Sequence, residues 1–249
     1  MTENVAGLLS THTTMGLFSS VIHVRDATGE AVCKALKNSV PNWPFRVSEQ
    51  QAMTGAPQSP PKDTLLYMVS PLYGSWSTIV EGHFAVKDAP WLSDLAKCLS
   101  GALATYVLAL MVHDDDVLYY DLCQDGANLD GYNSDPQYFE TARLSEESIA
   151  EQRHNPRAFA PLLPDSASMA ELQAILDRGW WSAWKGERLD ADGVPPEDEP
   201  CFVFEGDRMA AIGDLLRLHG GGEGYPFAAW AEAPGIRWPE FQELRFQRA

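Results

Sequence analysis

Residues 106–132 read YVLALMVHDDDVLYYDLCQDGANLDGY, and this segment contains the strongest structural signals of the chain. It contains two strand-like runs, 106–112 and 117–123, which are rich in apolar and aromatic residues and are separated by a short acidic turn. Asp125-Gly126 is a second turn signal and leads to a third run at 129–132. The stretch therefore predicts a meander of three antiparallel strands.

The N-terminal part of the chain predicts further elements of the same sheet. Residues 17–24 are apolar and strand-like, and a helix is expected to open at Asp26-Ala27-Thr28-Gly29. Residues 48–62 are rich in Gln, Ser, Gly and Pro and show little periodicity, which is typical of an exposed loop. A strand and a helix followed by a long loop are therefore expected here.

The middle of the chain predicts a hairpin and a helix. Residues 64–69 and 76–84 are strand-like, and a connection of hairpin length with Pro and Gly joins them. A helix is expected from an Asp88 N-cap to a closing Gly101, because leucines recur between them at helical spacing. The order β-α-β-β-α-β-β-β predicts an α+β fold, a mostly antiparallel sheet with helices on one face.

The C-terminal part, residues 141–249, is predicted to be a helical region rich in Trp and Pro, packed on the same core as an α+β sheet domain at 1–140. Ser168-Met169-Ala170-Glu171 has the pattern of a capping box, and Gly220-Gly221-Gly222 is expected to end a second helix. Five tryptophans of this region are interpreted as core residues or, where exposed, as an interaction patch. They are Trp180, Trp181, Trp184, Trp230 and Trp238.

Composition excludes several classes of function. The formal net charge is −17 with an isoelectric point near 4.6, so the clustered Lys and Arg that bind nucleic acid or an anionic membrane are missing. A basic protein is a compatible partner. The four cysteines form no C-x-x-C pair, and no cofactor is predicted. The first twenty residues contain no Lys or Arg, and the longest apolar run, 101–112, is too short to span a bilayer, so a cytoplasmic location is expected.

An uncompensated run of acids is the main functional feature. No Lys or Arg occurs from Cys98 to Ala142, and eight acids lie there: Asp114, Asp115, Asp116, Asp121, Asp125, Asp130, Asp135 and Glu140. These acids can be ordinary turn and sheet-end residues, a negative docking surface, or a carboxylate cluster. For the docking surface, the predicted binding residues are Asp114, Asp115, Asp116, Asp125, Asp130 and Tyr132.

Metal chemistry is the alternative. His113 beside three aspartates is a weak metal candidate, with His83 or His23 as additional ligands from other strands. This alternative predicts a metal-dependent hydrolase that uses His113 and the adjacent aspartates. The prediction leans against an enzyme, since no catalytic residues are assigned and no Ser-His-Asp or Cys-His arrangement can be derived from the order of residues alone.

Part of the chain resembles a group of uncharacterised bacterial proteins with no established activity. The resemblance rests on Val112-His113-Asp114-Asp115-Asp116, on Asp125-Gly126, and on Tyr132-Asn133-Ser134-x-Pro136-x-Tyr138-Phe139. Met15-Gly16-Leu17-Phe18 is similar too. The resemblance therefore covers roughly the first 140 residues. It implies a bacterial, intracellular protein and assigns no site residues.

The preferred expectation is a non-enzymatic protein-binding module. An immunity or antitoxin-like inhibitor would use the acidic hairpin surface and nearby aromatic residues to cover a basic bacterial effector. A structural subunit of a larger assembly is the third possibility.

Overall fold

One antiparallel sheet of eight strands organises the chain in a computed structural model that describes residues 19–40, 43–53, 63–82, 91–138, 140, 142–151, 154–178, 205–218 and 240–249. The strands are β1 (Ser19–Arg25), β2 (Phe45–Ala52), β3 (Thr64–Val69), β4 (Trp76–Glu81), β5 (Tyr106–His113), β6 (Val117–Gln124), β7 (Ala127–Asn133) and β8 (Gln242–Arg248). Their order across the sheet is β2-β8-β3-β4-β1-β5-β6-β7, and each neighbouring pair is antiparallel. The predicted α+β class, the β3–β4 hairpin and the β5–β6–β7 meander are confirmed.

Helices cover both faces of this sheet. They are α1 (Gly29–Ser39), α2 (Leu92–Leu103), α3 (Glu146–Glu151), α4 (Ser166–Asp177) and α5 (Glu205–Leu216), with a short 3₁₀ helix at Pro156–Phe159. The first two, α1 and α2, pack on one face, as predicted, and bury residues such as Leu36 and Leu99 against it. On the opposite face, α4, α5 and the 3₁₀ helix bury residues such as Leu172 and Ile212. Strands buried on both sides, such as β3, lie in the middle of this three-layer arrangement.

The described part of α2 begins later than predicted and ends later. Its N-cap is Trp91, and it runs through Gly101 to Leu103 before Ala104 adopts a left-handed conformation with φ of 49°. Asp88 lies outside the described residues. Gly101 serves close packing, because a Cβ there would meet the Cα of Gly126 at 3.3 Å. Gly101 was interpreted as the end of the helix, but the helix continues past it, and the glycine instead lets α2 lie close to Gly126.

The C-terminal helices also differ from their predicted boundaries. Asp165 caps α4, since its carboxylate accepts hydrogen bonds from the N–H and the hydroxyl of Ser168 at 2.8 and 2.9 Å. The predicted cap at Ser168 is therefore wrong by one turn. The helix α5 ends at Leu216, where Arg217 has φ of 54°. The glycines 220–222 and the five tryptophans lie outside the described residues.

Two strands at one edge of the sheet were not predicted. The predicted loop at 48–62 begins instead with β2, and β8 comes from the C-terminal region and lies between β2 and β3. All residues of β2 after Phe45 are exposed, and the alternation of apolar and polar residues that would mark a strand is limited to residues 45–48. Pairing with β8 stabilises β2. The division near residue 140 stays a prediction, while β8 joins the C-terminal region to the sheet.

Among the described residues, no helix is both long and apolar enough to cross a membrane.

Candidate functional site

The acidic turn between β5 and β6 has an unusual backbone. Asp114 and Asp115 adopt left-handed conformations with φ of 56° and 60°, and the N–H of Asp116 donates to the carbonyl of His113 at 3.1 Å. Asp, Asn and Gly tolerate this region better than other residues. Asp114 is exposed, whereas Asp115 and Asp116 are half-buried. The turn therefore exposes Asp114 to solvent and partly buries Asp115 and Asp116.

The half-buried aspartates contact two other segments. The hydroxyl of Tyr138 donates to Asp116 Oδ2 at 3.2 Å, and the Tyr138 ring meets the His113 ring edge-on at 5.9 Å. The carbonyl of Asp115 accepts the N–H of Glu205, the first residue of α5, at 2.9 Å. The turn is therefore fixed to the segment after β7 and to the start of α5.

Further acids lie beside this turn. Burial raises the pKa of Tyr119, and the Asp135 and Glu140 carboxylates near its hydroxyl raise it further. Burial likewise raises the pKa of the neighbouring Tyr138, with Asp116 and Asp114 adding to the effect.

We call the set Asp114, Asp116, Asp135 and Glu140 the acidic tip. No ion pair between described residues includes any of these four side chains. Their negative charge is therefore not neutralised within the part of the chain that the structure describes.

Asp125 belongs to the opposite end of the same strands. It is exposed, has φ of 51°, and forms the β6–β7 turn with Gly126. The structure therefore separates it from the acidic tip by the length of a strand, as the predicted meander requires.

Asp130 lies inside the protein. It is 7% exposed, and its carboxylate accepts hydrogen bonds from the Tyr120 hydroxyl and the Asn155 N–H, both at 2.7 Å. Burial raises the pKa of this carboxyl group, although its hydrogen bonds oppose the shift. The described contacts of Asp130 thus connect β7 to the segment before the 3₁₀ helix, and its side chain is withdrawn from the surface.

Tyr132 is half-buried and also makes internal contacts. Its hydroxyl accepts a hydrogen bond from Arg208 Nη1 at 3.0 Å and donates to the carbonyl of Leu176 at 3.2 Å. Burial raises the pKa of Tyr132 to about 12, so the hydroxyl stays protonated at neutral pH. Tyr132 therefore connects β7 to both α4 and α5.

A network of buried polar groups continues from Tyr132. Arg208 and Glu205 form an ion pair at 2.8 Å, and their side chains are 1% and 0% exposed. Arg208 also donates to the carbonyl of Ile175 at 3.0 Å, while burial raises the pKa of Glu205. We call the set Tyr120, Asp130, Tyr132, His154, Glu205 and Arg208 the polar seam, because these residues join β6 and β7 to the C-terminal helices.

Four members of the polar seam were not predicted: Tyr120, His154, Glu205 and Arg208. In α5, Glu205 and Arg208 precede Met209 and Ile212 on the buried side of the helix, so a charged pair at i and i+3 on an apolar stripe was the available signal. His154 had no comparable signal. Its Nε2 lies 3.0 Å from Asp177, and its buried Nδ1 has no hydrogen-bond partner among the described residues.

The histidines expected to hold a metal are not brought together. His113 contacts Tyr138, and His23 is fully buried in β1 with its Nδ1 3.0 Å from the Thr78 hydroxyl. Burial lowers the pKa of His23 to about 3. His83 lies outside the described residues. Within the described ranges, no group of three or more His, Cys, Asp or Glu side chains is arranged to hold a metal ion.

Comparison with known proteins adds no family. No family model matches the chain, and neither a curated protein nor a solved structure matches it.

Proposed function

We propose that this protein is a non-enzymatic binding module whose acidic tip docks a basic protein. The observation that carries the proposal is that four neighbouring carboxylates have no ion pair within the described residues. A like-charged cluster without counter-charges lowers its electrostatic energy when a cationic surface approaches. A basic partner therefore gains from this surface and an acidic one is repelled.

The chemistry of the turn supports the proposal. Asn or Gly would fill the left-handed position at Asp114 as well as Asp does, and without repulsion from the neighbouring carboxylates. Turn geometry thus explains why Asp114 is small and polar, but not why it is charged. Tyr138, which donates to Asp116, offers the kind of aromatic side chain that anchors protein interfaces.

An inhibitor of the immunity or antitoxin type fits these properties, with a basic effector as its target. Such an inhibitor acts by covering the target, and rapid association favours it because charge accelerates encounter. The described cysteines, Cys33, Cys98 and Cys123, are all free, which supports a reducing compartment such as the cytoplasm. Burial raises the thiol pKa of Cys33 to about 11 and that of Cys123 to about 12, so neither is a ready nucleophile.

Two matched variants test the proposal. The tip variant carries Asp114→Asn, Asp116→Asn and Asp135→Asn, which keep the side-chain oxygens that accept the Tyr138 hydroxyl and the Gln137 N–H. The control variant carries Asp63→Asn, Glu171→Gln and Asp214→Asn, which remove the same charge from exposed positions outside the acidic tip.

Each protein is immobilised and incubated with native lysate, and the bound proteins are quantified by mass spectrometry. The native chain and the control variant are expected to retain the same stoichiometric partner of basic isoelectric point, and the tip variant to lose most of it. Recovery of that partner in equal amounts by all three proteins would contradict the proposal. So would the absence of any stoichiometric basic protein.

A further inference from the structure

The strand β7 is the last strand of the described sheet. It pairs with β6 on one side, and no described strand pairs with its other side. Residues 127–129, the first half of this edge, are exposed. An edge of this kind can bind an extended segment through backbone hydrogen bonds.

The pairing with β6 indicates which peptide groups face outward. The N–H of Ser134 donates to the carbonyl of Leu118 at 3.0 Å, which marks these two residues as a hydrogen-bonded pair. Hydrogen-bonded and non-hydrogen-bonded pairs alternate along antiparallel strands, so the carbonyl groups of Asn133 and Gly131 face away from β6. Gly131 has no side chain to hinder an approaching backbone.

Two of the usual guards of an edge strand are missing from β7, although the bulge at Leu129 and the inward-facing Asp130 are guards of another kind. The strand contains neither Lys nor Pro, which natural sheets place on edges to prevent pairing. The opposite edge strand, β2, carries Arg46 and Glu49, and its neighbour β8 carries Arg248 and an Arg245 that pairs with Glu49 and Glu243. Because β7 has no basic residue, it is the more favourable of the two edges for a cationic segment.

Exposed apolar side chains lie at the start of β7. Leu129, which a bulge leaves without a partner on β6, is 40% exposed, and Trp91 at the start of α2 is 79% exposed. The first turn of α2 contacts this strand through Asp121, whose carboxylate accepts hydrogen bonds from Ser93 and from Asn128. Leu129 and Trp91 can thus contact the aliphatic part of Lys or Arg side chains, and the indole also attracts their charge.

Acids lie at both ends of the edge. Asp125 precedes β7 and the acidic tip follows it, and the seven residues of β7 span roughly 20 Å. We infer that an extended basic segment of the partner protein binds along the outer edge of β7 as an additional strand, with its charges toward both ends. This inference rests on the proposed function and specifies the shape of the partner.

Two synthetic peptides test the inference on the full chain. The first alternates lysine and threonine over the length of β7, and the second has the same sequence with every second peptide nitrogen methylated on one edge. Both carry the same charge, but the methylated peptide cannot form the strand pairing. The first peptide is expected to bind about tenfold more tightly, because several backbone hydrogen bonds depend on the free N–H groups.

A pair of variants locates the binding. Leu129→Lys introduces on β7 a lysine of the kind that prevents edge strands from pairing. Leu72→Lys is the control, because it adds the same charge elsewhere and Leu72 is 39% exposed while Leu129 is 40% exposed. The two peptides are expected to bind Leu129→Lys equally, whereas the difference between them should persist in Leu72→Lys. A difference that also persists in Leu129→Lys would overturn the inference.

The tip variant separates this inference from the proposed function. If both peptides bind the native chain equally and both weaken with the tip variant, the added strand is wrong and the acidic docking surface stands. If the first peptide is favoured but the tip variant binds it as well as the native chain does, the proposed function is wrong and the added strand stands. If neither peptide binds, both are wrong.

Discussion

His23 shows how a single buried side chain makes stability depend on pH. Its ring is fully buried in β1 and packs edge-on against Trp76, and within the part of the chain that the structure describes its Nε2 has no hydrogen-bond partner. Burial lowers its pKa in the folded protein to about 3, against 6.5 in the unfolded chain. Between these two values the unfolded chain binds a proton that the folded protein does not, so acid favours unfolding.

We expect His23 to cost about 1.4 kcal/mol of folding free energy for each pH unit below 6.5. From pH 6.5 to pH 5 the native chain should therefore lose about 2 kcal/mol more than a His23→Leu variant does. Urea unfolding of both proteins at a series of pH values measures this difference. If the free energy of unfolding fell equally with pH in the two proteins, His23 would not be the cause of the loss of stability in acid.

Arg208 and Glu205 form the most deeply buried charged pair among the described residues. Removing one partner leaves the other charge buried without compensation, so Arg208→Met should lower the free energy of unfolding by about 3 to 5 kcal/mol. The double variant Arg208→Met with Glu205→Gln should lose clearly less free energy of unfolding than Arg208→Met alone. The matched control is Asp26→Asn in the exposed pair with Arg25, which should change stability by less than about 1 kcal/mol.

Chemical denaturation of these variants measures the losses. A double variant as unstable as Arg208→Met alone would mean that the hydrogen bonds of Arg208 to the Ile175 carbonyl and the Tyr132 hydroxyl, rather than its ion pair, stabilise the seam.

For single residues, the sequence shows which side chains are acidic but not which of them are exposed. Asp114 and Asp130 have the same side chain and lie in one Lys-free and Arg-free segment, yet only the first reaches solvent. The difference arises from Asn155, which is 25 residues away in sequence and donates to Asp130. Local patterns contain no information about such a contact, so Asp130 and Tyr132 could be nominated as binding residues but not placed.

Among the elements of the fold, α1 is held against the β3–β4 connection by a close approach at Gly29. A Cβ at Gly29 would lie 2.5 Å from the carbonyl oxygen of Ser70, and backbone atoms cannot yield as a flexible side chain does. Gly29→Ala should therefore destabilise the protein by about 1 to 3 kcal/mol, even though alanine favours helix formation.

Gly101→Ala is the comparison for this prediction. The contact to Gly126 is looser, 3.3 Å, and the residue lies within α2, where alanine gains helix propensity. Thermal and urea unfolding should rank Gly29→Ala as the less stable of the two variants. The reverse order would show that the approach of α1 to Ser70 is not a tight constraint.

The elements that sequence could predict are those with local signals. The β3–β4 hairpin and the β5–β6–β7 meander have apolar runs separated by turn residues, and they form as predicted. The pair β2–β8 joins positions such as Ser48 and Arg245, which are 197 residues apart. Residues 45–48 alternate apolar and polar side chains, but this signal is short and ends in the polar run 49–51, so the pairing with β8 could not be predicted from it.

Over the whole molecule, charge is distributed unevenly across the sheet. The strands β5, β6 and β7 and their turns carry acids and no Lys or Arg, while β2 and β8 at the opposite edge carry three arginines and two glutamates, Arg46, Arg245, Arg248, Glu49 and Glu243. Such asymmetry orients a charged partner during its approach, and salt screens the effect over about 10 Å at 0.1 M ionic strength. Docking at the acidic tip should therefore weaken as salt is added.

A titration of the native chain, the tip variant and the control variant with an oligolysine peptide, at low and at high salt, measures docking at the acidic tip itself. We expect the native chain and the control variant to bind alike and to weaken as salt is added. The tip variant should bind about tenfold more weakly at low salt, a loss of roughly 1.4 kcal/mol. Equal affinity of all three proteins for the peptide at low salt would contradict the claim that the acidic tip is the docking surface.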